Sequence, residues 1–140
     1  MKMLIVFVAS AMLACSGISA FAADLKIIAN PDVKVDSVSA EDLKAIFLLN
    51  KSSLSDGSHV QPVIEKGGVA HEAFLKEYVG KTDSALQNYY RSLVFTGKGT
   101  MPKTCGSDIE VTACVSKTKG AIGYVGADAP TNGVKTLAVK

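Results

Sequence analysis

The sequence predicts a small α/β domain behind a removable N-terminal leader. Three observations support this prediction: an apolar N-terminal run that ends in small residues, an alternation of strand-like and helix-like segments after it, and a remaining length that suits a single core. The 140 residues include 15 Lys and Arg and 13 Asp and Glu, which gives a formal net charge of +2. A charge this close to neutral argues against a nucleic-acid binder, which carries a basic stripe.

Residues 1–22 have the pattern of a secretory signal peptide. Lys2 precedes an apolar run that ends at Ala14, and an A-x-A cleavage pattern ends at Ala22. The run is shorter than the roughly 20 apolar residues of a membrane span. Cleavage after Ala22 predicts a mature domain of residues 23–140, periplasmic or secreted and without a membrane span. A buried first helix of the domain is the alternative.

The chain has three cysteines, and Cys15 falls inside the leader. Its context partly resembles the lipidation site of bacterial lipoproteins, so lipidation at Cys15 is the alternative to cleavage after Ala22. Signal removal leaves Cys105 and Cys114, and an even count in an oxidising compartment predicts a disulfide between them. The rival interpretations are that the two cysteines bind a metal or form a redox-active pair. A metal site usually needs more ligands than two cysteines, and redox-active cysteines usually have a C-x-x-C spacing.

The first part of the domain reads as strand, helix and strand. Leu25–Asn30 is an apolar strand candidate that ends at an Asn-Pro turn signal. Ser39 is placed to cap a helix whose apolar face carries Leu43, Ile46 and Phe47. His59–Ile64 is an extended segment, in which Pro62 predicts a sheet edge or a bulge because proline cannot donate to a ladder.

Three helices are predicted in the rest of the domain. A Gly-Gly pair leads into Val69–Val79, and Thr82 or Asp83 caps a second helix whose apolar spacing is i, i+3, i+4, i+7, i+8. A loop is expected from Thr96 to Cys105. The third helix begins at Asp108 and reaches about Lys117, since Ser107 and Glu110 form a capping box and Gly120 can stop it. Two strands complete the domain: Ile122–Val125 and Val134–Val139.

No residue pattern indicates an enzyme. The two histidines, His59 and His71, have no metal-binding spacing, and the sequence contains no H-E-x-x-H, G-x-S-x-G or Walker motif. We therefore predict no catalytic residues, no metal and no cofactor. Anion binding has better support. Two glycine-rich loops, which contain Lys66 and Lys98, flank helix ends, and glycines let backbone N–H groups approach a negatively charged ligand. The alternative is that these glycines only serve turns and caps.

Several segments resemble the phosphate-binding proteins of bacterial ABC transporters. Leu43–Leu48 resembles their L-x-x-I-F-L helix, Asp56–Val63 their D-G-x-x-I-x-P-V stretch, and Phe95–Gly99 their F-T-G-x-G loop. Val115–Val125 is similar to their V-x-x-x-x-G-A-I-G-Y-V element and is the most specific match. The resemblance implies a single lobe, half of a type II periplasmic binding protein, with a small mixed sheet flanked by helices.

The anion motif of that family is changed in this chain. Where the family has an arginine followed by serine, glycine and threonine, this sequence has Glu65-Lys66-Gly67-Gly68. The arginine that binds phosphate through two hydrogen bonds is missing, and a carboxylate at or near its place opposes an anion. The resemblance therefore supports the fold more strongly than the ligand.

These observations predict an exported solute-binding-like protein that binds a small, phosphate-type anion weakly for uptake. The expected ligands are the N–H groups of Gly67, Gly68 and Val69 and the side chains of Lys66 and His71. The alternative is an interaction module without a ligand, which docks on another cell-envelope protein.

Overall fold

The computed structural model describes residues 25–140, so the predicted signal peptide, its cleavage site and Cys15 lie outside the described residues. The strands are β1 (Leu25–Ala29), β2 (Ser37–Val38), β3 (Gln61–Glu65), β4 (Lys103–Cys105), β5 (Ala121–Gly126) and β6 (Lys135–Val139). The helices are α1 (Ala40–Phe47), α2 (Val69–Phe74), α3 (Asp83–Phe95) and α4 (Asp108–Lys117), and a π-helical turn, Leu75–Val79, continues α2.

The strands form one mixed sheet in the order β2-β6-β1-β5-β3-β4. Strand β1 runs antiparallel to both of its neighbours, with Ile27 opposite Tyr124 of β5 and opposite Leu137 of β6. The pairs β2–β6, β3–β4 and β3–β5 are parallel. This mixed sheet with helices confirms the predicted α/β class.

Helices cover the sheet on both sides because successive side chains of a strand point to opposite faces. Ile27 and Ala29 of β1 pack with the apolar side chains of α1, α2 and α3 in the larger core cluster. Ile28, between them, belongs to a second cluster with Val111 and Val115 of α4. Helix α4 is thus separated by the sheet from the other three helices.

Three helices begin where side-chain capping predicts them. Ser39 Oγ accepts the Asp42 N–H at 3.1 Å, and Thr82 Oγ1 accepts the Ala85 N–H at 3.2 Å, which selects Thr82 as the cap of α3. Ser107 Oγ accepts the N–H of Glu110 at 3.3 Å. The returning Glu110 carboxylate binds the N–H of Gly106, one residue before the cap. Each bond satisfies a backbone donor that the helix itself leaves free.

The structure differs from the sequence prediction at two short strands and at Pro62. Strand β4 falls in the predicted loop from Thr96 to Cys105, and β2 falls in a segment for which the sequence predicts no element, because two or three residues carry no periodic signal. Pro62 lies in β3, an interior strand and not an edge strand. The residue is tolerated there because the β4 ladder begins only opposite Val63, so Pro62 has a neighbour on the β5 side alone.

Cys105 and Cys114 are close to each other on the α4 side of the sheet. Cys105 is buried at the end of β4, and Cys114 packs against the same core cluster from α4. Both carry free thiols in the part of the chain that the structure describes. Burial and the neighbouring Cys114 raise the pKa of the Cys105 thiol to about 12, so in its reduced form this thiol is a poor nucleophile.

The disulfide between Cys105 and Cys114 stays a prediction, which an oxidised preparation can test. We expect purified protein to resist thiol alkylation until it is unfolded and reduced, and the bridge to add about 2–3 kcal/mol to the free energy of unfolding. Mass spectrometry after alkylation measures the first effect, and chemical denaturation with and without reductant measures the second. In Cys114→Ser the reductant should have no effect. Two alkylated thiols in unreduced wild type, once unfolded, would contradict the bridge.

Gly120, at the turn into β5, requires a residue without a side chain. Its φ is +73°, and an added Cβ would lie 2.5 Å from the carbonyl oxygen of His59. Gly97 has nearly the same φ, +72°, with open space around its Cβ position. We expect Gly97→Ala to lose about 1–2 kcal/mol to backbone strain alone. Gly120→Ala should lose about 1–3 kcal/mol more because of the collision. Urea denaturation of both variants measures the difference, and equal losses would contradict this explanation.

Candidate functional site

The start of α2 is fixed by the sheet that precedes it. Strand β3 ends at Glu65, and the N–H of Lys66 still donates to the carbonyl of Cys105 at 2.8 Å, which holds this segment against β4. Gly68 then turns the chain into the helix with a φ of +100°, a conformation that favours glycine. The glycine in this position is therefore needed for the backbone, whatever else it does.

Four of the predicted anion ligands lie together on the surface at this point. Lys66 and Gly68 are exposed, Gly67 is half-buried, and the Val69 side chain is 80% exposed. No described side chain caps α2, so its first N–H groups keep their partial positive charge for another partner. Lys66 forms no ion pair with any of residues 25–140.

His71, the fifth predicted ligand, lies in the core and is 1% exposed. Its Nε2 lies 2.7 Å from Oδ1 of Asp83 at the start of α3, and its Nδ1 is hydrogen-bonded to the hydroxyl of Tyr124. The same hydroxyl accepts the N–H of Glu65 at 3.0 Å. Because the Asp83 carboxylate can only accept, Nε2–H donates to it. In the neutral imidazole Nδ1 is then the acceptor, and the Tyr124 hydroxyl donates to it. An anion contact by His71 would have to break one of these bonds.

A pair of carboxyl groups lies beside the start of α2. Glu65 is 6% exposed, and Asp108 is the first residue of α4. One oxygen of each, Glu65 Oε2 and Asp108 Oδ1, is buried without a hydrogen-bond partner among residues 25–140. The other Asp108 oxygen accepts the N–H of Gly126 at 3.1 Å. Burial, together with the Asp108 carboxyl group, raises the pKa of Glu65 to about 8.

Sequence reasoning singled out Glu65 as an unfavourable charge but missed Asp108. The two residues are far apart in the chain and come together because α4 packs over the sheet. The one available signal was the position of Asp108 in the first turn of a capped helix, which is typical of an ordinary dipole interaction.

The starts of α2 and α4 open into one groove of about 350 Å³. Two helix N-termini at one groove favour negative charge there, and the carboxyl group of Asp108 already supplies part of that negative charge. The lining residues are Leu25, Val69, Ala70, Asp108, Gly126, Ala127, Asp128 and Ala129. Within residues 25–140, no group of three or more His, Cys, Asp or Glu side chains could hold a metal ion. Nor is any helix in that range long and apolar enough to span a membrane.

The Tyr124 hydroxyl connects His71 with the end of β3, and its removal tests this connection. Tyr124→Phe leaves both the Nδ1 of His71 and the N–H of Glu65 without their partner, so we expect a loss of about 2 kcal/mol or more in the free energy of unfolding. Tyr89→Phe is the control: among residues 25–140 its half-buried hydroxyl binds only the carbonyl of Leu48, and its loss should cost about 0.5–1.5 kcal/mol. Denaturant unfolding measures both, and equal costs would contradict the role of Tyr124.

Neither a family model nor a curated protein matches this sequence. Solved structures do match it. A candidate phosphate ABC transporter substrate-binding protein from Clostridium perfringens, solved with bound phosphate, matches with a TM-score of 0.65 at 15% identity, over 83% of this chain and 44% of its own. PstS from Borrelia burgdorferi has a TM-score of 0.63 at 17% identity, over 84% and 47%. An ABC-type phosphate transport receptor from Vibrio cholerae has a TM-score of 0.55 at 13% identity, over 83% of this chain and 46% of its own.

The chain thus spans less than half the length of the solved structures that it matches. At this level of identity the likeness concerns the fold alone. The protein has the PstS-like fold, in an extent that corresponds to one lobe of a phosphate-binding protein.

Proposed function

We propose that this protein is an exported, solute-binding-like protein that binds a small anion of the phosphate type weakly, for uptake. The observation that carries the proposal is the surface segment Lys66–Val69, where a lysine and uncapped backbone N–H groups stand at a helix start. The likeness to proteins that are described as phosphate-binding supports it. Export rests on the N-terminal sequence pattern. In this proposal the chain binds and does not catalyse.

Lys66 and the backbone have separate roles in this site. The ammonium group of Lys66 supplies a full positive charge, which attracts an anion from solution. The N–H groups of Gly67, Gly68 and Val69 supply short-range hydrogen bonds and the positive end of the helix dipole. His71 acts indirectly, because its bond to Tyr124 fixes the residue before Lys66.

The acid pair sets the limit on affinity. A fully ionised Glu65 and Asp108 would repel an anion at the start of α2. Because the pKa of Glu65 is raised to about 8, the pair carries less than its full charge at neutral pH. One exposed lysine, without a bidentate arginine, then gives a dissociation constant that we expect to be of the order of a millimolar, about −4 kcal/mol.

A second candidate function is docking on another cell-envelope protein. The observation in its favour is the exposure of two apolar side chains: Val69, which lines the groove and is 80% exposed, and Ile109, which follows the groove residue Asp108 in the chain and is 68% exposed. Exposed apolar side chains near a groove are a feature of surfaces that contact a partner.

Calorimetric titration of the purified protein with phosphate and with sulfate tests the proposed function. We expect saturable binding near neutral pH that Lys66→Ala weakens about tenfold, equivalent to about 1.4 kcal/mol, because the full charge is lost. Lys98→Ala is the matched control: it removes an exposed lysine beyond the end of α3 and should leave the affinity unchanged.

The absence of binding heat for both anions at millimolar concentration would contradict anion binding and favour the docking function. Equal effects of the two lysine variants would show attraction by net charge without a site at α2.

A further inference from the structure

Two buried carboxyl oxygens lack a hydrogen-bond partner, and they belong to neighbouring side chains. Within residues 25–140, Glu65 Oε2 and Asp108 Oδ1 are the buried side-chain oxygens without one. Glu65 is 6% exposed, so bulk solvent has little access to its carboxyl group. A buried polar atom without a partner costs about 1–3 kcal/mol, and more if it is charged. Two such atoms at one place therefore call for a common explanation.

A single proton between the two oxygens satisfies both of them. If both carboxyl groups were ionised, they would repel each other in a poorly hydrated place. If one is protonated, its O–H donates to the other carboxylate, and this charge-assisted bond is stronger than a neutral one. Asp108 is the better carboxylate of the two, because it lies at the positive end of α4 and accepts the N–H of Gly126. The proton therefore belongs mainly to Glu65.

Among the surrounding charged and titratable groups of the described residues, Asp108 is the one whose charge acts on the pKa of Glu65. None of residues 25–140 forms an ion pair with Glu65 or Asp108. Each neighbouring element contributes such groups: Lys26 from β1, Lys66 after β3, Cys105 from β4, His71 and Glu72 from α2, Glu110 from α4, Tyr124 from β5 and Asp128 after it. Lys26 Nζ lies 3.4 Å from the carbonyl of Ala129, and Glu110 is bound to Gly106.

We propose that Glu65 and Asp108 share one proton between Oε2 and Oδ1, and that this proton controls anion binding at the start of α2. With the proton in place, the pair carries one negative charge, and the end of β3 is bonded to the start of α4. Without it, two negative charges lie beside the start of α2 and repel an incoming anion. The control of binding rests on the proposed function, whereas the shared proton does not.

The sign of the pH dependence follows from the direction of the shift. Burial and the Asp108 carboxyl group raise the pKa of Glu65 from 4.5 to about 8. Between these values the folded protein holds a proton that the unfolded chain has released. Stability should therefore fall as pH rises from about 4.5 to about 8, and should change no further from this source above that range.

Thermal unfolding as a function of pH tests the shared proton without any ligand. Glu65→Gln puts a permanent donor in place of the protonated acid, so its unfolding temperature should lose the pH dependence that wild type shows across this window. Glu72→Gln, which changes an exposed glutamate on α2, should follow wild type. If Glu65→Gln does not fold, Asp108→Asn, which removes the other acid of the pair, is used for the same measurement. Equal pH slopes in wild type and in the pair variants would overturn the shared proton.

Sulfate titration at about pH 6 and about pH 9 tests the control of binding. Sulfate keeps its charge over this range, so a change in affinity reports on the protein. We expect wild type to bind at least about fivefold more weakly at the higher pH, about 1 kcal/mol, and Glu65→Gln to lose little. Binding that is independent of pH in wild type would overturn the control. No binding at either pH would overturn both the control and the proposed function, while the unfolding data still decide the shared proton.

Discussion

Tyr124 stands on the interior strand β5, and its ring stacks on Phe74 with the centroids 4.0 Å apart and the planes 8° from parallel. Its hydroxyl binds the ring of His71 and the N–H of Glu65. The one side chain thereby joins the apolar core to the end of β3. Because burial raises the pKa of the Tyr124 phenol above its ordinary value of 10.0, the phenol stays neutral and acts as a hydrogen-bonding group. The start of α2 depends on this junction for its position.

The residue before Tyr124 decides the other face of the sheet. A Cβ on Gly123 would lie 3.1 Å from Cγ1 of Val111 and 3.2 Å from Cγ2 of Val115. The absence of a side chain lets α4 approach the sheet closely, and this approach brings Asp108 beside Glu65. Two consecutive residues of β5 thus position the candidate site. Tyr124 holds the end of β3 by a hydrogen bond, and Gly123 leaves the space in which α4 approaches the sheet.

Two opposing electrostatic effects meet at the groove. The first turns of α2 and α4 favour negative charge, and Lys66 adds a full positive charge nearby. Two acids of the chain, Glu65 and Asp108, lie beside the same helix starts, and their negative charge already offsets part of this positive potential. A free anion and the Glu65–Asp108 pair therefore compete for the same field. Protonation of Glu65 is the change that shifts this balance, which links the ionisation of a buried side chain to the charge of an exposed surface.

The sequence by itself determined the fold class, the bounds of the helices within a few residues, and the capping roles of Ser39 and Ser107. These features depend on contacts between residues a few positions apart, which periodicity and capping motifs record. It also marked the segment Lys66–Val69. Only the tertiary structure decided that His71 faces the core, that β3 is an interior strand, and that Glu65 meets Asp108. Each of these depends on packing between segments distant in the chain, for which spacing along the sequence gives no signal.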